Sequence, residues 1–224
     1  MAPRQAHRRA RVAGATIDEP STELWGPEFA EVARRLLSSA VLCFARNGFH
    51  ATTTRDVTAG VGLSPGALYV HFSSKEDVLF AVVRVGHERA LAELGDREPD
   101  RDAEEVGAAE EVADLVRRFV AWHARHHTVA RICQYELSGL EPEHFERVQE
   151  LRQQINQVFR RAVARGADAG VFHVADVNRA ARAIISLGVD LVRWYRLDGP
   201  DSPGALAEEY AELALRMLGT RSAA

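Results

Sequence analysis

The sequence predicts an all-α protein of about nine helices. Apolar residues recur at spacings of three and four through most of the chain, which places them on single faces of helices. The chain makes heavy use of Ala, Arg, Val and Leu, and it contains few runs of the kind that form strands. Glycines and prolines interrupt the periodic runs where helices would begin or end.

The composition is that of a globular protein. The 224 residues suffice for one sizeable domain or two small ones, and the apolar and charged shares, 46% and 27%, are ordinary. Cys43 and Cys133 lie far apart in apolar surroundings, which is typical of buried thiols in a reducing compartment. No apolar run reaches the length of a membrane span, so we expect a cytoplasmic protein without a membrane partner.

Charge is unevenly distributed along a chain whose formal net charge is -4. Residues 1–11 carry four arginines and no acid, whereas residues 96–111 carry eight acids against two arginines. A face that meets a polyanion is therefore expected before residue 96. Residues 1–26 lack helical periodicity and are predicted to be a disordered basic arm. Contact of its basic tip with DNA phosphates remains the alternative.

The first helix is predicted from an apolar stripe that ends at Asn47 and Gly48, where Gly suits a left-handed cap. The stripe consists of Phe29, Val32, Ala33, Leu36, Leu37, Ala40, Val41 and Phe44.

Two short helices are predicted next. Thr53 followed by Asp56 resembles a capping box, and this second helix ends near Gly60. Ser64 is the expected N-cap of the third helix, with Pro65 at its first position. Two short helices joined by a glycine-containing turn form a helix-turn-helix, which we assign to residues 27–73.

A connecting helix, 74–95, is predicted to follow. It begins at Ser73 or Ser74, carries acids in its first turn and runs to about Leu94. The acidic segment 95–105 marks the boundary to a second helical unit, 105–219.

The second unit is predicted to contain five further helices. A helix of about 20 residues surrounds 112–123, a short one follows at 130–137, and a long one spans 145–162 and ends near Gly166. The helix 175–196 is apolar on more than one side, which suggests a subunit interface as well as a core. The last is an amphipathic helix, residues 206–217.

Residues 29–80 resemble the DNA-binding domain of the tetracycline-repressor (TetR) family of bacterial regulators. The resemblance rests on the phased set Phe44, Gly48, Thr53, Gly62, Gly66, Leu68, Tyr69, Phe72 and Lys75. It implies a homodimer that binds operator double-stranded DNA, a variable C-terminal helical domain for ligand binding and dimerisation, and repression relieved by a small-molecule effector. No enzymatic activity, catalytic residue, metal or cofactor is expected.

The resemblance also implies which residues meet DNA. Contacts are expected from Thr53, Thr54, Arg55, Tyr69, His71 and Lys75, with Ser64, Pro65, Gly66 and Ala67 facing the bases. Lys75, the only lysine of an arginine-rich chain, is predicted to meet a backbone phosphate. Alternatives without DNA contact remain open for three of these residues. Arg55 could pair with Asp56, Tyr69 could be packed, and His71 could be an ordinary surface histidine.

The C-terminal run resembles regulators of fatty-acid and sterol-side-chain degradation that sense acyl-CoA thioesters. The shared residues are Trp194, Tyr195, Arg196, Gly199 and Pro203. Such a ligand needs an apolar tunnel and basic groups at its mouth. The candidates are Phe119, Trp122, His123, His126, Arg131, Phe145, Val148, Arg152, Ile155, Phe159, Arg193 and Trp194, and also Arg196. Ordinary core packing of the aromatic residues is the competing interpretation.

The dimer is predicted to form through the last two long helices, as a four-helix bundle across a two-fold axis. Its interface residues would be Ile184, Ile185, Leu191, Tyr195, Tyr210 and Leu213.

The sequence thus predicts a dimeric repressor of a near-palindromic operator, released by an apolar effector, with an acyl-CoA preferred. A regulator of the same fold that senses another hydrophobic or aromatic ligand or a drug is the first alternative. The others are a metal-dependent hydrolase built on His123, His126 and His127, and a helical lipid-binding adaptor without DNA function.

Overall fold

A computed structural model describes residues 24–95 and 106–220 of the chain, and within these ranges the fold is all-α, as predicted. Eight α-helices and two short 3₁₀ helices make up the described part, in agreement with the expected nine or so. The α-helices are α1 Glu31–Asn47, α2 Thr54–Ala59, α3 Lys75–Leu94, α4 Val106–Arg125, α5 His127–Tyr135, α6 Pro142–Asp168, α7 Val177–Trp194 and α8 Pro203–Met217. The 3₁₀ helices are Pro65–Val70, between α2 and α3, and Leu137–Gly139, between α5 and α6.

Helix α1 organises the N-terminal unit by polar contacts, one of them buried, as well as by its apolar stripe. The Ser39 hydroxyl donates to the Val57 carbonyl at 2.7 Å, and the Arg35 guanidinium donates to the Val61 carbonyl at 3.1 Å. These bonds tie α2 and the following turn to α1, so the helix-turn-helix has a fixed support.

The predicted boundary of the arm needs a correction. Residues 1–23 lie outside the described residues, but Trp25, assigned to the arm, is 1% exposed and packs in the core of the N-terminal unit. Its indole N–H donates to the buried Ser38 hydroxyl at 2.8 Å. A buried tryptophan with a satisfied N–H holds the chain in place, so order begins earlier than the polar sequence suggested.

The local start signals of α2 and α3 are confirmed. Thr53 and Asp56 form a reciprocal capping box, with the Thr53 backbone N–H donating to the Asp56 carboxylate at 2.8 Å. These bonds lower the pKa of Asp56. The Ser74 hydroxyl accepts the Asp77 N–H at 2.9 Å, which fixes the first turn of α3.

The third helix differs from the prediction because Pro65–Val70 is a 3₁₀ helix and the Ser64 side chain makes no capping hydrogen bond. The segment has six residues and contains Gly66, whose low helix propensity works against a regular α-helix. Leu68, fully buried, anchors it to the core.

The C-terminal unit is a bundle of five helices. Helices α4 and α8 pack side by side along their lengths, while α6 and α7 cover the remaining sides of α4. Gly188 of α7 allows α7 to lie close to α4, because a Cβ at this position would be only 2.7 Å from the Phe119 ring. Helix α3 packs against α4, α5 and α6, so it belongs to both units. The predicted acidic boundary segment lies mostly outside the described residues.

None of the helices in residues 24–95 and 106–220 has the length and apolarity required to cross a membrane.

Candidate functional site

The predicted DNA-reading surface lies on α2 and the 3₁₀ helix that follows it. Thr53, Arg55, Ser64, Pro65, Gly66 and Tyr69 are exposed, and Thr54, Ala67, His71 and Lys75 are half-buried. Of the residues in the 3₁₀ helix only Leu68 is buried, so its remaining side chains and the start of α2 are free to meet a groove.

Two details of this surface add to the prediction: one concerns the alternative left open for Arg55, and the other a residue not singled out before. Arg55 forms no ion pair with Asp56 or with any other residue in the described ranges, so its guanidinium is available to a phosphate. Val70 is 78% exposed, next to Tyr69 at 57%, although neither periodicity nor resemblance singled it out. An exposed valine on a reading element offers apolar contact to a thymine methyl group.

Lys75 has an intramolecular role that the sequence did not indicate. Its ammonium donates to the Phe49 carbonyl at 2.8 Å and to the Thr52 carbonyl at 2.7 Å, and it lies 4.3 Å from the centroid of the Phe49 ring. Two of its three donors therefore hold the loop between α1 and α2. Phosphate contact by the third donor stays a prediction.

A cavity of about 920 Å³ opens between α6 and α7 and reaches inward to α3, α4 and α5. Its floor is made of buried residues, among them Ala90, Phe119, Trp122, Ala130 and Ile155. This volume is within the range of small-molecule sites in proteins.

The rim of the cavity is polar and basic. Arg160, Arg182 and Arg193 are exposed there, and Arg152 lies half-buried between the rim and the floor. Asp190 is the single acid among the lining residues of the described chain, and it pairs with Arg193 at 3.4 Å. The guanidinium groups of Arg160 and Arg182 have no partner in residues 24–95 and 106–220, so the rim favours an anionic ligand group.

Six of the twelve predicted ligand residues line this cavity: Phe119, Trp122, His123, Arg152, Ile155 and Arg193. The other six lie elsewhere. Phe159 is core, Val148 packs in the core shared with the N-terminal unit, and Phe145 and Trp194 are exposed away from the cavity. His126 and Arg131 are half-buried outside it, and Arg196 pairs with Asp198 at 3.0 Å. Helical periodicity identifies apolar faces but does not tell which of them meets a cavity.

The contribution of α3 to the cavity, above all that of His87, was not predicted from the sequence. His87 lies on α3 and His123 on α4, and each donates its Nδ1–H to the carbonyl four residues earlier, Val83 and Phe119, at 2.8 Å. Burial lowers the pKa of both imidazoles to about 4. A histidine inside a helix otherwise predicted to be a plain connector was the only available signal.

A metal site built on His123, His126 and His127 was one of the alternatives that the sequence left open. In the described ranges one group of three potential ligands comes together, Glu76, Asp77 and His144, and it includes none of His123, His126 and His127. Glu76 is already bonded to the His144 ring at 2.9 Å and to the Glu141 backbone N–H at 3.0 Å. Glu76 and His144 therefore act as a contact between α3 and α6.

Residues 133–144, which comprise the end of α5, the linker and the start of α6, connect the cavity with the helix-turn-helix. Cys133, Gln134 and Tyr135 line the cavity, and the next residue, Glu136, accepts the Phe49 N–H at 3.0 Å. At the other end His144 stacks on Phe80 with ring centroids 3.8 Å apart. One short segment thus contacts both the ligand cavity and the loop that Lys75 holds.

Two family models match the chain. The model described as bacterial regulatory proteins of the tetR family covers residues 36–82, and the tetracyclin repressor-like C-terminal domain covers residues 105–218. The second match alone spans more than half of the chain. The chain belongs to the TetR family of bacterial transcriptional regulators.

Individual proteins resemble most of the chain. The HTH-type transcriptional repressor KstR2 of Rhodococcus jostii is 30% identical over 183 residues, which are 80% of this chain and 87% of the relative. A tetR-family regulatory protein from Rhodococcus RHA1 has a solved structure with TM-score 0.80 and 38% identity, covering 87% of this chain and all of that one. AibR, solved with isovaleryl coenzyme A and operator DNA, shares the fold at TM-score 0.71 and 19% identity, covering 84% and 98%.

For this TetR-family chain the predicted dimer residues divide into three groups by exposure. Ile184, Leu191 and Tyr195 are at most 3% exposed and point into the core of their own subunit, so their assignment to an interface was wrong. Ile185 lines the cavity and Tyr210 is half-buried. Only Leu213 is exposed, at 38%. The reason is helical phase, because residues three, four or seven apart on α7 share the face that the core occupies.

Proposed function

We propose that this TetR-family regulator is a dimeric repressor that binds a near-palindromic operator and releases it when an acyl-CoA thioester occupies the cavity. The proposal rests on a cavity with an apolar floor and a basic rim. Helix α3 lines part of this cavity, and its Lys75 holds the loop between α1 and α2.

The DNA half of the proposal is supported by the exposure of the reading elements. The unpaired Arg55 and the exposed Tyr69 suit phosphate contacts, while the small Gly66 and Ala67 permit close approach to base edges. The ten predicted contact residues lie on one continuous stretch, 53–75, which suits one major groove and its flanking phosphates.

The effector half is supported by the division of the cavity into two zones. Coenzyme A carries several phosphate charges, and the guanidinium groups of Arg160 and Arg182 at the rim lack a protein partner in the described ranges. The acyl group would enter the buried floor formed by Phe119, Trp122 and Ile155. The names of relatives agree, since KstR2 is a repressor and AibR shares a fold that accommodates isovaleryl coenzyme A.

The dimer is supported by exposed apolar side chains on the last two helices and the loop between them. Trp194, Leu197, Leu213 and Met217 are each between 38% and 47% exposed, and such side chains on neighbouring elements are typical of an association surface. We expect Leu213→Asp to convert the dimer to monomers in analytical ultracentrifugation. Phe145→Asp, which alters an equally exposed apolar side chain on α6, serves as the matched control.

Release would proceed through α3. Residues Gly86, His87 and Ala90 of this helix line the cavity. Lys75, about 18 Å along the helix from His87, holds the loop between α1 and α2. An effector that fits best when α3 has moved would weaken operator binding. The operator would weaken effector binding by the same coupling free energy, typically about 1–3 kcal/mol. An effector-bound structure with unchanged spacing of the two reading helices would contradict this route.

The test is a mobility shift on DNA from the chain's own promoter region at fixed salt, with and without a panel of acyl-CoA thioesters. Specific binding abolished by a thioester supports the whole proposal. Specific binding that thioesters leave intact but an aromatic acid, sterol or drug abolishes favours the alternative regulator of the same fold. Binding no better than to random DNA contradicts the repressor itself.

A further inference from the structure

The floor of the cavity contains two histidines that the proposed acyl-CoA function does not use. His87 and His123 come from different helices, and they are only 9% and 7% exposed. Both line the cavity, so what remains accessible of their rings faces the ligand space.

The hydrogen bonds of the two rings determine what they offer to a ligand. Each Nδ1 lies 2.8 Å from a backbone carbonyl oxygen and must carry the proton that the bond requires. Because burial keeps both rings neutral at pH 7, each Nε2 bears a lone pair and no proton. Neither Nε2 has a hydrogen-bond partner among residues 24–95 and 106–220. The floor therefore presents two hydrogen-bond acceptors in the same cavity as the buried apolar side chains Phe119, Trp122 and Ile155.

An entirely apolar ligand group would fill this floor at a cost. It would take water from both Nε2 atoms without replacing the hydrogen bonds, and a buried acceptor without a partner is unfavourable. Arg152 also lines the cavity, and its charge contributes to the low pKa of His87, so the same cavity holds a guanidinium donor whose charge is felt at one of the two rings. A hydroxyl group satisfies both kinds of neighbour, because it donates to an imidazole nitrogen and accepts from a guanidinium.

We infer that the floor is a subsite for a hydroxyl group, so that the preferred effector carries a hydroxyl on the part of its acyl group most distant from the thioester. This inference rests on the proposed function for the orientation of the ligand, with its phosphates at the arginine rim.

A metal ion is not the occupant that the described residues favour. Cys133 lines the same cavity, but the two histidines and this thiol do not converge within 4.8 Å of one another. The Cys133 thiol also has a pKa raised to about 12 by burial, so it stays protonated and a poor ligand.

The test compares matched pairs of probes that differ by one hydroxyl group. Binding of benzoyl-CoA and 4-hydroxybenzoyl-CoA, and of hexanoyl-CoA and 6-hydroxyhexanoyl-CoA, is measured by calorimetry on the full chain. We expect the hydroxylated member of at least one pair to bind about tenfold tighter or more. The preference should vanish in His87→Phe or His123→Phe and persist in His173→Phe, which alters an exposed histidine outside the cavity.

The outcomes separate this inference from the proposed function. If both members of each pair bind equally and release operator DNA, the hydroxyl subsite is wrong and the acyl-CoA function stands. If no thioester binds, the acyl-CoA function is wrong, and phenol and fluorobenzene then test the subsite alone by ¹⁵N NMR of the histidine rings of the unaltered protein. A shift of the His87 or His123 Nε2 resonance by phenol but not by fluorobenzene supports the subsite; equal responses, or none, overturn it.

Discussion

The carboxylate of Glu136 accepts the backbone N–H of Phe49 at 3.0 Å, across 87 positions of sequence. Glu136 follows directly after three residues that line the cavity, and Phe49 lies in the loop that leads into the reading elements. The other face of the same loop is held by Lys75. The loop is thus fastened from the C-terminal unit on one side and from α3 on the other.

We expect Glu136→Ala to lower the free energy of unfolding by about 1–2 kcal/mol, because a half-buried N–H loses its partner. The effector should also release operator DNA less effectively, since one link between cavity and reading loop is gone. Urea unfolding and a mobility-shift titration measure the two effects. Glu136→Gln, which keeps an acceptor oxygen, should behave nearly like the unaltered chain; equal behaviour of both variants would remove the hydrogen bond from the explanation.

Lys75→Met should destabilise the protein in the absence of DNA. The methionine keeps the apolar stem but leaves the Phe49 and Thr52 carbonyls without their donor, which costs about 1–3 kcal/mol. Thermal unfolding of the DNA-free protein measures this, with Arg55→Met, at an exposed and unpaired position, as the control. If Lys75→Met loses operator affinity but keeps the stability of the DNA-free protein, Lys75 acts only as a phosphate contact and the predicted structural role is wrong.

Arg182→Ala should weaken binding of an acyl-CoA thioester about fivefold, or ~1 kcal/mol, because an exposed ion pair contributes modestly. The affinity of the variant should also depend less on salt concentration. Arg179→Ala is the matched control, since Arg179 lies on the same helix, is paired with Asp176 and does not line the cavity. Calorimetry at two salt concentrations makes the comparison, and equal losses in both variants would exclude a specific role for the rim.

Stability should fall between about pH 6.5 and pH 4 for a reason specific to the cavity floor. His87 and His123 have pKa values near 4 in the folded chain against an ordinary 6.5, so the unfolded chain binds more protons in this window. Acidification therefore favours unfolding, by up to about 3 kcal/mol for each histidine.

The charged or titratable neighbours of the two rings are Arg152 and His126. The measurement is urea unfolding of the unaltered chain and of His87→Phe/His123→Phe at pH 7.5, 6 and 5. The loss of stability on acidification should be smaller in the double variant, and parallel pH profiles would show that the histidines are not its source.

Much of the fold could be predicted because its signals are local. The Thr53–Asp56 capping box, the Ser74 cap and the apolar stripe of α1 involve residues within a few turns of one another. Their geometry depends on backbone periodicity, which neighbouring residues alone define. The family resemblance of the reading segment is local in the same way, since its residues are contiguous.

The site could be predicted only in part. Phe119, Trp122 and Ile155 were identified as candidate lining residues because they are large and apolar, but Val148, with the same character, packs in the other core. His87 gave only a weak signal, a histidine inside a predicted connecting helix, because a histidine acquires its role from what lies opposite it. The side that an apolar helix turns to the core, to a cavity or to a partner is set by contacts between distant segments.

The all-α fold, the TetR-type reading segment and the helical C-terminal unit follow from patterns in the arginine-rich chain. The packing of the helices is needed to see that Lys75 holds a loop, that Tyr195 is core while Leu213 is surface, and that two neutral histidines meet at one cavity floor. The difference arises because caps and periodicity are properties of consecutive residues. Burial and hydrogen-bond pairing across the fold depend instead on how the helices pack against one another.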